Sequence, residues 1–137
     1  MTKKDLTSRE DIQRLVETFY GRVRRDDRLG PIFNDVAAVD WDKHIPLLVD
    51  FWSTIVFSKP AYKGNPMQVH IDLNKKTPLN GDLFEHWKGL FFATVDDLFE
   101  GTGARYIKQR ATHIAALMAF KVAASEGEGP SLPLSAP

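Results

Sequence analysis

The sequence predicts an all-α protein, and three observations carry that expectation. Apolar residues recur at three- and four-residue intervals through several long segments. No segment sustains the period-two alternation of a half-buried strand. Turn-forming pairs separate the periodic segments, at Gly30-Pro31, Asn65-Pro66, Thr77-Pro78 and Asn80-Gly81.

The first helix opens at Thr7 or Ser8, with Glu10 three residues after Thr7 as a capping box requires. Ile12, Leu15, Val16, Phe19, Tyr20 and Val23 then form one apolar face. Gly30-Pro31 ends that pattern, and Ile32 and Phe33 follow as residues available to pack inward. The second helix carries Trp41, His44, Leu48, Trp52, Ile55 and Val56 on one stripe. Its Pro46 is expensive deep inside a helix, at about 3 kcal/mol, but costs little in a first turn. Regular helix is therefore expected from His44, with Asp40 to Lys43 in a tighter turn. Asn65 caps a short third helix that begins at Pro66 and ends near Leu73. Asp82 caps the fourth, whose stripe is Phe84, Trp87, Phe91, Val95, Leu98 and Phe99, closed by Gly101 and Gly103. The last helix runs from about Ala104 to Ala124, with Ile107, Ala111, Ile114, Met118 and Val122 inward. Residues 1–6 read as a flexible arm, 7–124 as the helical domain, and the Gly-, Ser- and Pro-rich stretch 125–137 as a disordered tail.

The totals narrow the functional classes. A chain of 137 residues is the size of one domain, and 43% hydrophobic residues is ordinary for a globular one. No run is long and apolar enough to span a membrane, and no secretory signal follows Lys3 and Lys4, so cytoplasm is the default expectation. The absence of cysteine excludes disulfides, thiolate catalysis and thiolate-bound metals, leaving His, Tyr, Asp and Glu as ligands. Eighteen basic and eighteen acidic residues cancel, without the basic excess of a nucleic-acid binder. Arg22, Arg24, Arg25 and Arg28 are interrupted by Asp26 and Asp27 and read as a solvated helix end. Balanced charge gives no dimer signal, so a monomer is expected.

Of four histidines, His44 and His70 stand in apolar company. His70 lies in a short helix flanked by Met67, Ile71 and Leu73; His44 shares a stripe with Leu48 and Trp52. Two such imidazoles, with no tight His/Asp/Glu spacing around them, fit a pocket for a flat apolar cofactor better than a zinc site. Tyr20 and Trp87 each put one hydrogen-bond donor on an inward stripe. Those donors either satisfy backbone carbonyls or point into a pocket at a ligand.

An ordered set of segments then brings in a resemblance. It comprises Asp11-Ile-Gln-Arg-Leu-Val-Glu-Thr-Phe-Tyr20, Leu29-Gly-Pro-Ile-Phe33, Trp41-Asp-Lys-His44, Asp50-Phe-Trp52, Tyr62-Lys-Gly-Asn-Pro66, His70-Ile-Asp-Leu73 and Phe84-Glu-His-Trp87. With these spacings the chain resembles the truncated haemoglobins of the third group, from the first helix to about Ile114. The resemblance implies a truncated globin fold, a two-over-two helical sandwich around haem b. It implies His70 as the proximal iron ligand, and Tyr20, His44 and Trp87 on the distal side as the residues that act on ligand. Phe19, Phe33, Leu48, Trp52 and Met67 are then expected as haem-wall residues. The sequence lacks the glycine pairs that hinge loops in other truncated groups, while His86 and His113 match no ligand position.

The implied ligands are the diatomic gases O2, NO and CO, with cyanide or peroxide besides. Three functional readings follow. The first is O2 binding with oxidation of nitric oxide, which needs an external reductase because no flavin or nicotinamide motif occurs here. The second is peroxidase-like or other small-molecule haem chemistry. The third is a binding or sensing module without turnover.

Overall fold

In a computed structural model, which describes residues 3–58 and 66–126 (Met67 and Glu126 by backbone alone), the chain is helical throughout its regular elements. The helices are α1 (Arg9–Arg25), α2 (Trp41–Phe57), α3 (Pro66–Asn74), α4 (Gly81–Leu98) and α5 (Thr102–Glu126), with a short π-helical turn at Ile32–Val36. There is no strand among the described residues. Helix α1 packs on α2 and α4, α4 packs along α5, and α3 rests on α5. Two helices thus lie over two, and α3 closes one side. None of the described helices is long and apolar enough to cross a membrane.

The six apolar residues expected on the inner face of α1 are all buried, and Phe19, Phe91, Val95, Ile107 and Ala111 bring α1, α4 and α5 together in the core. The helix starts depart from expectation at three places. The capping box of α1 is Ser8 with Asp11, not Thr7 with Glu10: Ser8 Oγ accepts from Asp11 N at 3.2 Å. The Asp11 carboxylate in turn accepts from the backbone N–H groups of Thr7 and Ser8 and from Lys4 Nζ at 2.6 Å. Burial raises the Asp11 pKa, but the Lys4 bond and the backbone N–H of Thr7 outweigh it and hold it at about 2. Helix α2 begins at Trp41 under an Asp40 cap, which leaves Pro46 inside the helix. The N–H that Pro46 lacks would have served the carbonyl of Asp42, which is exposed, so water can take its place. In α4 the cap is Asn80, whose side chain accepts from Leu83 N at 2.9 Å; Asp82 sits in the first turn. Helix α3 does begin at Pro66, while the Asn65 cap lies outside the described residues.

Both expected chain ends shift as well. The arm is docked from Lys3 onward, since Leu6 is buried and Glu100 N donates to Lys4 O at 3.1 Å. The Asp5 carboxylate accepts from Gly103 N and Ala104 N, each at 3.1 Å, and so caps α5 from across the fold. That approach explains two glycines. Gly101 adopts φ +125°, and a Cβ on Gly103 would meet Leu6 O at 2.1 Å. At the other end, α5 continues through Ser125 and Glu126, and the rest of the expected tail lies outside the described residues.

Candidate functional site

A cavity of about 210 Å³ opens between α2, α3 and α4. Tyr20 of α1, Phe33 of the π-helical turn and Met118 of α5 complete its lining. The wall is apolar apart from the polar atoms of His44, His70, Tyr20, Trp52 and Trp87, and His44, His70, Tyr20 and Trp87 converge on this one space.

His70 occupies one wall. Its Nδ1 lies 2.7 Å from the carbonyl oxygen of Pro66, one turn earlier in α3. A carbonyl can only accept, so Nδ1 carries the ring proton and Nε2 keeps its lone pair. The described residues give that Nε2 no hydrogen-bond partner. Burial pushes the His70 pKa below the usual histidine value, against the Pro66 bond, and the ring is neutral at physiological pH. Phe84 stands beside it with ring centroids 6.3 Å apart.

The other wall is aromatic and carries the donors. Tyr20 is 4% exposed, and Phe19 meets both its ring and that of Trp87 edge-on, at 4.7 and 5.6 Å. The Trp87 indole lies near enough to the Tyr20 hydroxyl to favour its ionised form. Burial raises the Tyr20 pKa well above that of free phenol, the indole only partly offsetting it, so the hydroxyl keeps its proton. Trp87 stacks on Phe91 at 5.3 Å and lies parallel to Trp52 at 6.5 Å, which fixes its plane. His44 is half-buried, and its pKa is lowered by burial and then by the charge His70 would carry, which places the two imidazoles within electrostatic reach of each other.

Phe33, Leu48 and Trp52 line the cavity. Phe19 does not: it is fully buried behind Tyr20 and Trp87 and supports the wall rather than forming it. The Met67 side chain lies outside the described residues.

Sequence reasoning missed Leu83 and Phe84 as cavity residues, although Phe84 is one helical turn from Trp87 and so shares its face. It also missed the part played by Trp41. That ring stacks on Phe33 at 5.8 Å and meets His44 edge-on at 5.4 Å. Asn34 Oδ1 accepts from its indole at 3.3 Å, and the Arg24 guanidinium lies 5.1 Å over the ring. Part of the arginine cluster is accordingly engaged with the protein: Arg24 covers Trp41, and Arg22 pairs with Asp97 at 2.9 Å.

Among the described residues no three His, Asp or Glu side chains converge to hold a bare metal ion. The donor set fits a haem instead. One neutral imidazole with a free lone pair shares an otherwise apolar cavity with hydrogen-bond donors, and haem iron needs a single protein ligand of this kind.

No protein-family model matches the chain. Over 116 residues it is 33% identical to the group 3 truncated hemoglobin ctb of Campylobacter jejuni, covering 82% of this chain and 89% of that protein. The crystal structure of the group III truncated hemoglobin from Campylobacter jejuni superposes with a TM-score of 0.78 at 31% identity, covering 88% of this chain and 95% of that one. The chain belongs to the group III truncated haemoglobins, globins that bind their ligands at a haem.

Proposed function

We propose that the protein holds one haem b through Nε2 of His70 and binds O2, NO and CO on the side lined by Tyr20, His44 and Trp87. In this reading it works as a monomer that oxidises nitric oxide to nitrate, with electrons from an external reductase. One observation carries the reading: a lone, neutral, backbone-tethered imidazole shares an otherwise apolar cavity with a buried Tyr–Trp donor pair.

Haem, when bound, supplies an iron that takes a small diatomic ligand and exchanges electrons. The chain's residues do the rest. The Pro66 carbonyl orients His70 and, by accepting its Nδ1 proton, makes Nε2 a better electron-pair donor. The Trp87 indole can only donate, so where it serves the Tyr20 oxygen, the Tyr20 proton is the one left to point at a ligand. A ligand oxygen with partial negative charge would accept that proton in a bond worth about 1.5–3 kcal/mol. At about 1.4 kcal/mol per decade, such a bond slows ligand loss roughly ten- to a hundredfold. Holding that firm suits chemistry on the retained gas and ill suits delivery.

The test mixes the O2-loaded protein with nitric oxide and follows nitrate. Stoichiometric nitrate, formed much faster than O2 leaves on its own, is the expected result. Nitric oxide consumed no faster than spontaneous O2 loss overturns the dioxygenation reading. A second reading, peroxidase-like turnover, is favoured by one feature: the lowered His44 pKa leaves an imidazole on the cavity wall able to take a proton from a peroxide. Peroxide-driven oxidation of a reducing dye, lost in His44→Leu, supports it; no turnover removes it.

A further inference from the structure

Outside the cavity, one polar cluster joins the two helices that carry the donor pair. Asp26 is the C-cap of α1, the helix of Tyr20. Its Oδ2 accepts from the backbone N–H groups of Arg28 at 3.0 Å and Leu29 at 2.9 Å. From α4, His86 Nε2 stands 2.9 Å from both carboxylate oxygens. His86 directly precedes Trp87, and the turn that Asp26 caps leads into Leu29, Ile32 and Phe33, all on the cavity wall.

The other polar ties between α1 and α4 run from Arg22, to Thr94 Oγ1 at 3.1 Å and to Asp97 at 2.9 Å. They grip α4 about two turns or more beyond Trp87. They hold the far part of the helix pair and leave the Trp87 end to the Asp26–His86 bond.

We infer that His86 and Asp26 are positioning residues for ligand retention: their bond holds the Trp87 end of α4 against α1 and thereby sets how the Trp87 and Tyr20 rings sit around Phe19 at the cavity wall. Neither residue lines the cavity. The inference rests on the haem reading for its consequence in gas binding, and on the protein alone for its geometry.

His86→Leu removes the donor but leaves Asp26 its two backbone bonds, so the turn retains its cap. His86→Gln returns an N–H on a side chain of comparable reach. The first readout uses the haem-free protein: the ¹⁵N–¹H resonance of the Trp87 indole, assigned by its loss in Trp87→Phe. It should shift or broaden in His86→Leu, stay close to the parent in His86→Gln, and leave the Trp41 and Trp52 signals in place. The second uses the haem-loaded protein. O2 dissociation should rise about tenfold in His86→Leu, the low end for removing an outer partner of a binding group, and return in His86→Gln.

A folded His86→Leu protein with an unmoved Trp87 resonance overturns the inference, as does an unchanged O2 dissociation rate in its loaded form. Should His86→Leu fail to fold, Asp26→Asn keeps an oxygen for the backbone donors while turning an amide toward His86, and the same shifts are required of it. Failure of the parent chain to take up haem would overturn the functional reading, while the Trp87 resonance would still decide this one.

Discussion

Tyr20 and Trp87 reach the cavity from α1 and α4, long helices whose buried faces interlock through Phe19 and Phe91. His70 reaches it from α3, a helix of nine residues in which Gln68 and Val69 are exposed. The donor wall is placed by its neighbours: four aromatic rings at centroid distances of 4.7–5.6 Å leave Tyr20 and Trp87 little freedom. The His70 wall is placed by its own backbone, through a bond to the residue four positions earlier. Under the proposed function, the contrast follows from what each wall would have to do. A hydrogen bond to a small ligand loses strength steeply with misalignment, so its donor has to be held from several sides. A metal–imidazole bond is strong enough to draw a short helix into place, and a single tether suffices to set the tautomer.

The largest effect expected from breaking this arrangement is on the His70 wall. His70→Ala removes the imidazole proposed to hold the iron, and tight haem retention should be lost; the check is the intense haem absorption band after gel filtration. Parent-like haem content in that variant would mean that the apolar walls alone hold the cofactor and that His70 is no ligand. Next comes the donor wall, where Tyr20→Phe keeps the packed ring and deletes only the hydroxyl. O2 dissociation should speed up about ten- to a hundredfold, read by stopped-flow absorbance. An unchanged rate would pass the donor role to Trp87 or His44.

The smallest effect concerns the carboxylates that frame the donor-side helix. Asp5, Asp11 and Asp26 are each subject to burial, which raises their pKa, but their hydrogen bonds outweigh it and hold all three below 3.8. Depressed folded values mean that the native state binds fewer protons than the unfolded chain below that point. Their contribution is full above about pH 4 and is lost as pH falls through the folded values, near 2 for Asp11. Denaturant midpoints of the haem-free protein should fall as pH drops past the usual histidine value, because the lowered pKa values of His44 and His70 leave the unfolded chain binding more protons, and should fall again below pH 4, with a shallower second fall in Asp26→Asn. An identical acid slope in that variant would show that the Asp26 bonds do not discriminate folded from unfolded chain.

Much of this was legible in the residues. The inward stripes of α1, α4 and α5 follow from helical periodicity, which depends on side-chain chemistry at fixed spacing and on little else. Tyr20, His44 and Trp87 stood out because each sets a polar atom on such a stripe. The start of α2 was misread because Pro46 was weighed by its usual penalty, whereas an exposed first-turn carbonyl can turn to water. The resemblance implies Phe19 as a wall residue, but a residue-by-residue likeness does not separate the rim of a cavity from the layer behind it, where Phe19 lies.

Asp5 over Gly103, Asp26 with His86, and Arg24 over Trp41 had no signature along the chain, because each joins residues from separate segments through the angle at which those segments meet. The sequence by itself determined that the chain would be all-helical, which faces would be buried, and that His70, His44, Tyr20 and Trp87 would turn inward. Only the tertiary structure decided that Tyr20 and Trp87 meet around the Phe19 ring, and that Asp26 and His86 tie α1 to α4. Periodicity is a property of one helix, whereas the reach of a hydrogen bond depends on how helices cross.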